Sequence, residues 1–195
     1  MSELLQARAA NWLTGLRVAL TPAFMVLVWT APGHPPRGLA AAGMFMVIAA
    51  SDIWDGRLAR HYRHESATGR LFDHFADAGF LLGALYTYMS LSLAPWWVPA
   101  AIAASFAFYC VDSWSRSAGH GLIGSRLGHL AGICNYALVG ILVFDQTAGI
   151  HLLPASTWRL VFWLVPLYSA AAVVSRAFRG AGSQAPASAF GIVRR

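Results

Sequence analysis

Long apolar runs alternate along this chain with short polar or proline- and glycine-rich breaks. The runs cover residues 14–31, 38–60, 69–92, 95–117, 124–146 and 157–178. The breaks carry turn chemistry: Pro32, Gly33, Pro35 and Pro36, the polar stretch from His61 to Thr68, Pro95, Gly119 to Gly121, and Gly149 to Pro154. A hydrocarbon core about 30 Å thick takes about 20 helical residues to cross, so the pattern predicts six transmembrane helices. Ahead of them, Leu4, Leu5, Arg8 and Trp12 at mixed spacing predict a short amphipathic helix lying in the membrane interface. Residues 180–195 are small and polar, end in an Arg pair, and read as a flexible tail. The expected fold class is an all-α integral membrane protein, with an interfacial segment over 1–13, a six-helix domain over 14–179 and a tail over 180–195.

Composition strengthens the pattern. Hydrophobic residues make up 57% of the chain and charged residues 11%, against roughly 45–50% and 25% in soluble domains. Mean hydropathy is +0.54. A soluble globular domain is therefore excluded. The net charge is +6, and all 14 basic residues are Arg. Scattered among apolar runs, they suit anionic headgroups or phosphate rather than nucleic acid, which needs a continuous exposed basic face.

With six spans both termini share one side, and only Arg37 and Arg159 fall on the other. By the positive-inside rule the termini and the loops after the second and fourth spans are cytoplasmic. Trp96, Trp97 and Trp158 sit near span ends on the far side, where interfacial anchors are expected. Cys110 and Cys134 lie in apolar runs and read as packed thiols. The N-terminus lacks the short apolar stretch and small-residue site of a cleavable signal.

The chemistry lies in the acidic residues. Of eight in the chain, Asp52, Asp55, Asp73 and Asp77 fall in the second and third apolar runs. Unpaired near mid-depth, four aspartates would cost on the order of 10 kcal/mol together. Asp52 and Asp55 share one helix face, and Asp73 and Asp77, four apart, share a face of the next helix. A short polar loop makes these helices antiparallel, so the four carboxylates converge near one membrane face. Ion pairs with Arg57, Arg60 or Arg70, or a proton or cation path, would each absorb this charge. Hard oxygens at this density fit Mg²⁺ or Mn²⁺ better, and two divalent ions balance four carboxylates.

Gly56 and Gly69 each cost up to about 1 kcal/mol in a helix relative to Ala. Gly56 with Ala59 strips a helix face of bulk beside the carboxylates, so that a flat base or a pyrophosphate can approach the backbone. Close helix packing in lipid is the competing use of such small residues.

The stretch DIWDGRLARHYRHESATGRLFDHFAD, residues 52–77, reads D-x2-D-G-x2-A-R-x8-G-x3-D-x3-D and resembles the signature of the CDP-alcohol phosphotransferase (phosphatidyltransferase) family. Asn11-Trp12-Leu13-Thr14, followed by Arg17 and Pro22, is similar to that family's N-terminal segment. The resemblance implies a phospholipid-synthesis enzyme of a bacterial inner membrane. It would move a substituted phosphate from a CDP-linked donor such as CDP-diacylglycerol to a small alcohol or lipid acceptor, releasing CMP. It further implies that Asp52, Asp55, Asp73 and Asp77 hold Mg²⁺, two ions per site, with Mn²⁺ as an alternative. Asp77 would be the general base, and Asp52, Asp55, Gly56, Ala59, Arg60, Gly69 and Asp73 would line the nucleotide site. A homodimer among membrane lipids is also implied. Paired metals stabilise charge on a cleaving pyrophosphate, and a carboxylate can take the proton of an attacking hydroxyl, so the chemistry agrees with the charge argument.

The acceptor is less legible. Arg116 and Arg126 flank the loop after the fourth span, either to bind a phosphate of the acceptor or of a lipid or to set topology. Residues 124–136, GSRLGHLAGICNY, only partly resemble a family stretch that often carries Lys and Gln; His129 and Asn135 stand at the equivalent positions. Glycerol 3-phosphate is the first expectation because it is a common family substrate. His74 and His129 read as phosphate ligands or as hydrogen-bonded interior residues. Asp112 is expected to pair with Arg116, four residues on. The rival from another class is an ion or proton transporter. It predicts carboxylates spread through the membrane depth, where a transferase predicts a cluster at one face.

Overall fold

Turn chemistry and apolar length together cut the chain into six long helices among the described residues. The computed structural model describes residues 2–62, 67–116 and 126–182, with side chains described over 14–54, at 69, and over 71–115 and 127–178. The helices are α1 (Ser2–Trp29), α2 (Pro35–Tyr62), α3 (Ala67–Ser90), α4 (Trp97–Arg116), α5 (Arg126–Leu142) and α6 (Ala155–Gly182). No strand occurs among the described residues. Each predicted apolar run lies on one of these helices. Among the described residues, three stretches are long and apolar enough to cross a membrane: Pro35–Trp54, Leu127–Thr147 and Ala155–Phe178; Thr14–Trp29 is a shorter apolar helix. The expected interfacial segment, residues 1–13, and the start of the first span lie on one helix, α1. Of the expected tail, residues 183–195 lie outside the described residues, as do 63–66 and 117–125, which include the Gly119 to Gly121 turn.

The ends follow from local chemistry. Gly33 takes φ +76° between α1 and α2, and Pro35 opens α2, where its missing N–H costs nothing. Arg37 Nη1 donates to the Thr30 carbonyl at 3.2 Å, satisfying an orphan acceptor at the end of α1. α5 continues into a π-helical turn, Val143–Thr147. This turn presses against the start of α2 so closely that a β-carbon on Gly38 would lie 2.1 Å from the Thr147 carbonyl oxygen.

α1 packs on both α2 and α3, α4 on α6 and α3, and α5 on α6 and α3. Phe24, Phe45 and Phe80 meet in the core, with centroids 5.3 Å apart for Phe24–Phe80 and 6.3 Å for Phe45–Phe80. The Tyr136 ring stacks on Phe80 at 5.8 Å. Gly140 admits Phe45, whose ring would stand 2.9 Å from an added β-carbon.

Asp52 lies ten positions before the last residue of α2, and Asp77 ten positions after the first residue of α3. At 1.5 Å per residue each sits about 15 Å from that end of its helix. α1, which packs on both α2 and α3, ties the two helices together.

Candidate active site

Three helices bring one cation and three anions together. Asp52 on α2 and Asp73 and Asp77 on α3 each offer a carboxylate oxygen within 4.8 Å of the others. Arg17 on α1 reaches among them. Its Nη2 donates to Asp52 Oδ1 at 2.8 Å, and its Nη1 donates to Asp73 Oδ1 at 3.0 Å and to Asp77 Oδ1. Thr14, one turn earlier on α1, donates from Oγ1 to Asp73 Oδ1 at 3.4 Å. Tyr136 on α5 donates its hydroxyl to Asp77 Oδ1 at 2.9 Å. Because Tyr136 also stacks on Phe80, the apolar core forms a floor directly beneath the charged groups.

Exposure differs sharply within the cluster. The Arg17 side chain is fully buried, whereas those of Asp52, Asp73 and Asp77 are 32%, 35% and 22% exposed. One guanidinium against three carboxylates leaves two negative charges among the described side chains. The donor set is all oxygen, negatively charged and partly open, which suits a hard divalent cation such as Mg²⁺ or Mn²⁺. Asp52, Asp73 and Asp77 thus form a cluster of the kind the transferase reading expects.

A cavity of about 500 Å³ opens beside the cluster. Asp52 and Asp77 line it together with Tyr136, His74, His129, Asn135 and Arg176. Its remaining lining is mostly apolar and includes Ile53, Leu81, Ile102, Phe106 and Ile133. Arg176 on α6 is held from α4: Nε donates to Asp112 Oδ2 at 2.5 Å, Nη2 donates to Ser113 Oγ at 2.7 Å, and the guanidinium lies 4.4 Å from the Tyr109 ring centre. Tyr109 in turn meets the edge of His74 at 5.8 Å. Asn135 is buried and accepts from the Tyr168 hydroxyl.

Several residues meet partners that the sequence does not announce; the Arg116 side chain, expected beside Asp112, lies outside the described residues. Asp112 is bound by Arg176, 64 positions away, a contact between helices that the i, i+4 spacing to Arg116 does not anticipate. Trp158, expected as an interfacial anchor, is buried and donates from Nε1 to Asp145 at 3.0 Å. Trp96 is exposed, and Trp97 stacks on Trp163 at 5.5 Å. Arg17 and Arg176, counted from sequence as charges that set topology, are both buried.

Of the other predicted site residues, Gly69 is half-buried on α3, one turn before Asp73. Asp55, Gly56, Ala59 and Arg60 lie on α2, Arg116 ends α4 and Arg126 begins α5; their side chains fall outside the described residues. So do the side chains of Arg57 and Arg70, the other expected ion-pair partners. Cys110 and Cys134 are free thiols, half-buried.

Sequence reasoning missed Arg17 and Tyr136 as members of the cluster. A signal for Arg17 was present: an arginine inside an apolar run is as costly as an aspartate and calls for a partner. Tyr136 carries no such signal, since one aromatic among apolar residues looks like core.

Comparison with known proteins agrees with the site. The family model described as CDP-alcohol phosphatidyltransferase matches residues 7–174. A probable phosphatidylglycerophosphate synthase of Mycobacterium tuberculosis (strain ATCC 25618 / H37Rv) is 33% identical over 97 residues, covering 49% of this chain and 46% of the relative. A CDP-diacylglycerol--glycerol-3-phosphate 3-phosphatidyltransferase of Sodalis glossinidius (strain morsitans) is 29% identical over 119 residues, covering 59% of this chain and 64% of the relative. The chain thus spans about half the length of the mycobacterial relative and under two thirds of the other.

Proposed function

The chain belongs to the CDP-alcohol phosphatidyltransferase family, and from that premise we propose that it transfers a phosphatidyl group from CDP-diacylglycerol to the hydroxyl of glycerol 3-phosphate, releasing CMP. The observation that carries the reading is the convergence of Asp52, Asp73 and Asp77 within 4.8 Å, at motif positions and beside a cavity. The choice of acceptor rests on relatives named as a phosphatidylglycerophosphate synthase and a glycerol-3-phosphate 3-phosphatidyltransferase.

In this proposal Asp52, Asp55, Asp73 and Asp77 hold Mg²⁺, two ions per site, with Mn²⁺ able to substitute. Bound there, divalent ions supply positive charge to the pyrophosphate oxygens as the bond to CMP breaks. Asp77 is the general base: its carboxylate takes the acceptor's hydroxyl proton as the new bond to phosphorus forms. Tyr136 fixes the orientation of that carboxylate through its bond to Oδ1. Gly56, Ala59, Arg60 and Gly69 line the cytidine and pyrophosphate site with Asp52, Asp55 and Asp73. Arg176, oriented by Asp112 and Ser113 at the cavity wall, attracts the phosphate of the acceptor, and Arg116 and Arg126, which end α4 and begin α5, are further ligands for a phosphate of the acceptor or of a lipid. The apolar lining keeps bulk water from competing with the acceptor as nucleophile.

The reading places six crossings in a bacterial inner membrane, residues 1–13 at the interface, the site and both termini toward the cytoplasm, and two copies in a dimer. Purified protein supplied with CDP-diacylglycerol, Mg²⁺ and a panel of acceptors tests it through CMP release. Turnover is expected with glycerol 3-phosphate and is expected to stop when EDTA replaces Mg²⁺. Release with inositol phosphate, serine or phosphatidylglycerol instead changes only the acceptor. No release with any acceptor removes the transferase reading.

A further inference from the structure

Arg17 stands outside the aspartate motif, on a different helix, and yet supplies the positive charge described inside the cluster. Its contacts are unlike those of a simple ion pair. An arginine that closes a structural salt bridge usually sets two parallel N–H bonds on one carboxylate. Arg17 instead spreads its fork over three carboxylates, Nη2 on Asp52 and Nη1 on Asp73 and Asp77, each met at one oxygen, Oδ1. Its Nε is buried without a hydrogen-bond partner among the described residues, and the three anions set the place of the head group. The backbone supports this reach. α1 packs against both helices that carry the aspartates, and Thr21 Oγ1 ties back to the Arg17 carbonyl at 2.8 Å. The guanidinium therefore occupies the middle of an oxygen cluster whose size and charge suit a divalent ion.

We propose that Arg17 is a positioning residue: a tethered counter-ion that holds Asp52, Asp73 and Asp77 together before metal binds and competes with the metal for their Oδ1 oxygens. The inference rests on the reading that these carboxylates take a divalent cation. It goes beyond that reading in making the site preorganised by the protein's own charge, with a metal affinity set by a residue that need not be a ligand. Three like charges, only partly screened by solvent, repel one another at these distances. Without the guanidinium the cluster should stay together only when metal is present.

Wild-type protein and Arg17→Met, each purified in detergent, are compared by thermal midpoint in EDTA and in Mg²⁺, and by Mn²⁺ binding followed by electron paramagnetic resonance. In EDTA, Arg17→Met is expected to melt about 6–12 °C below wild type, the loss expected when one partner of a buried charge cluster is removed. Mg²⁺ should recover at least half of that loss through its binding to the folded state. Mn²⁺ should bind the variant about ten-fold more tightly than wild type, because no resident cation has to be displaced. An equal loss in EDTA and Mg²⁺, with unchanged or weaker Mn²⁺ binding, overturns the proposal and leaves Arg17 a purely structural residue. Where the two readouts part, the affinity decides.

If Arg17→Met does not fold in either condition, Arg17→Lys decides, since a single ammonium cannot fork across three carboxylates. Tighter Mn²⁺ binding than wild type supports the proposal, and equal or weaker binding overturns it. Wild-type protein that binds no Mn²⁺ sinks the metal reading itself. Wild-type protein that binds Mn²⁺, with both variants unchanged, sinks only the role given to Arg17.

Discussion

The two ends of the bundle treat carboxylates in opposite ways. At the end where α5 turns toward α6, Asp145 is 3% exposed and is met by neutral donors: the Leu153 N–H at 2.8 Å, Trp158 Nε1 at 3.0 Å and Gln146 Nε2 at 2.5 Å. At the other end, Asp52, Asp73 and Asp77 share one guanidinium and stay partly open to the cavity. Neutral N–H groups satisfy the first carboxylate with material the chain already contains, and it fastens a loop. Among the described residues the second group keeps an excess of negative charge, which a cation from outside would balance. In an apolar chain, a buried acid is thus not by itself a sign of chemistry; uncompensated charge facing a cavity is.

That contrast can be broken or sharpened by substitution. The largest effect is expected from Asp77→Asn, which should lower CMP release about 10² to 10⁴-fold while shifting the thermal midpoint by only a few degrees. Normal turnover would remove the proposed base. Asp145→Ala should do the reverse. It leaves buried donors without an acceptor and should cost about 2–3 kcal/mol of stability, equally in EDTA and in Mg²⁺. A loss that Mg²⁺ repairs would erase the distinction between the two ends.

Gly38→Ala comes next. A β-carbon there meets the Thr147 backbone, which has to shift, and the expected cost is about 1–3 kcal/mol in thermal stability. The smallest change is expected from Tyr136→Phe, which keeps the stack on Phe80 and removes one hydrogen bond to Asp77. A fall of about five- to ten-fold in CMP release, corresponding to about 1 kcal/mol, would match that loss. Unchanged turnover would show that Arg17 alone is enough to orient the base.

Much of this was legible in the sequence, for a physical reason. Apolar runs near 20 residues long and turn residues between them are local signals, and each predicted run lies on a helix. The aspartates were legible because charge in an apolar run is rare and costly, and their spacing put them on adjoining faces. What stayed hidden was the identity of partners across helices. Residues three or four apart announce themselves, as Asp112 and Arg116 did, but the contact described for Asp112 is Arg176, brought near by the packing of α4 on α6. Arg17 was counted on one side of the membrane and matched to the N-terminal segment, but sorting arginines by loop assigns each to a side and not to a neighbour. Trp158 was read as an anchor because a tryptophan near a span end usually is one; only the fold of the α5–α6 loop gives it a carboxylate to bind.

Phe24, Phe45, Phe80 and Tyr136 pack across the bundle immediately below the aspartates. Ions and water drawn to the carboxylates meet packed rings on that side. In the transferase proposed above, that wall of rings confines the charged reactants to the side on which the aspartates lie.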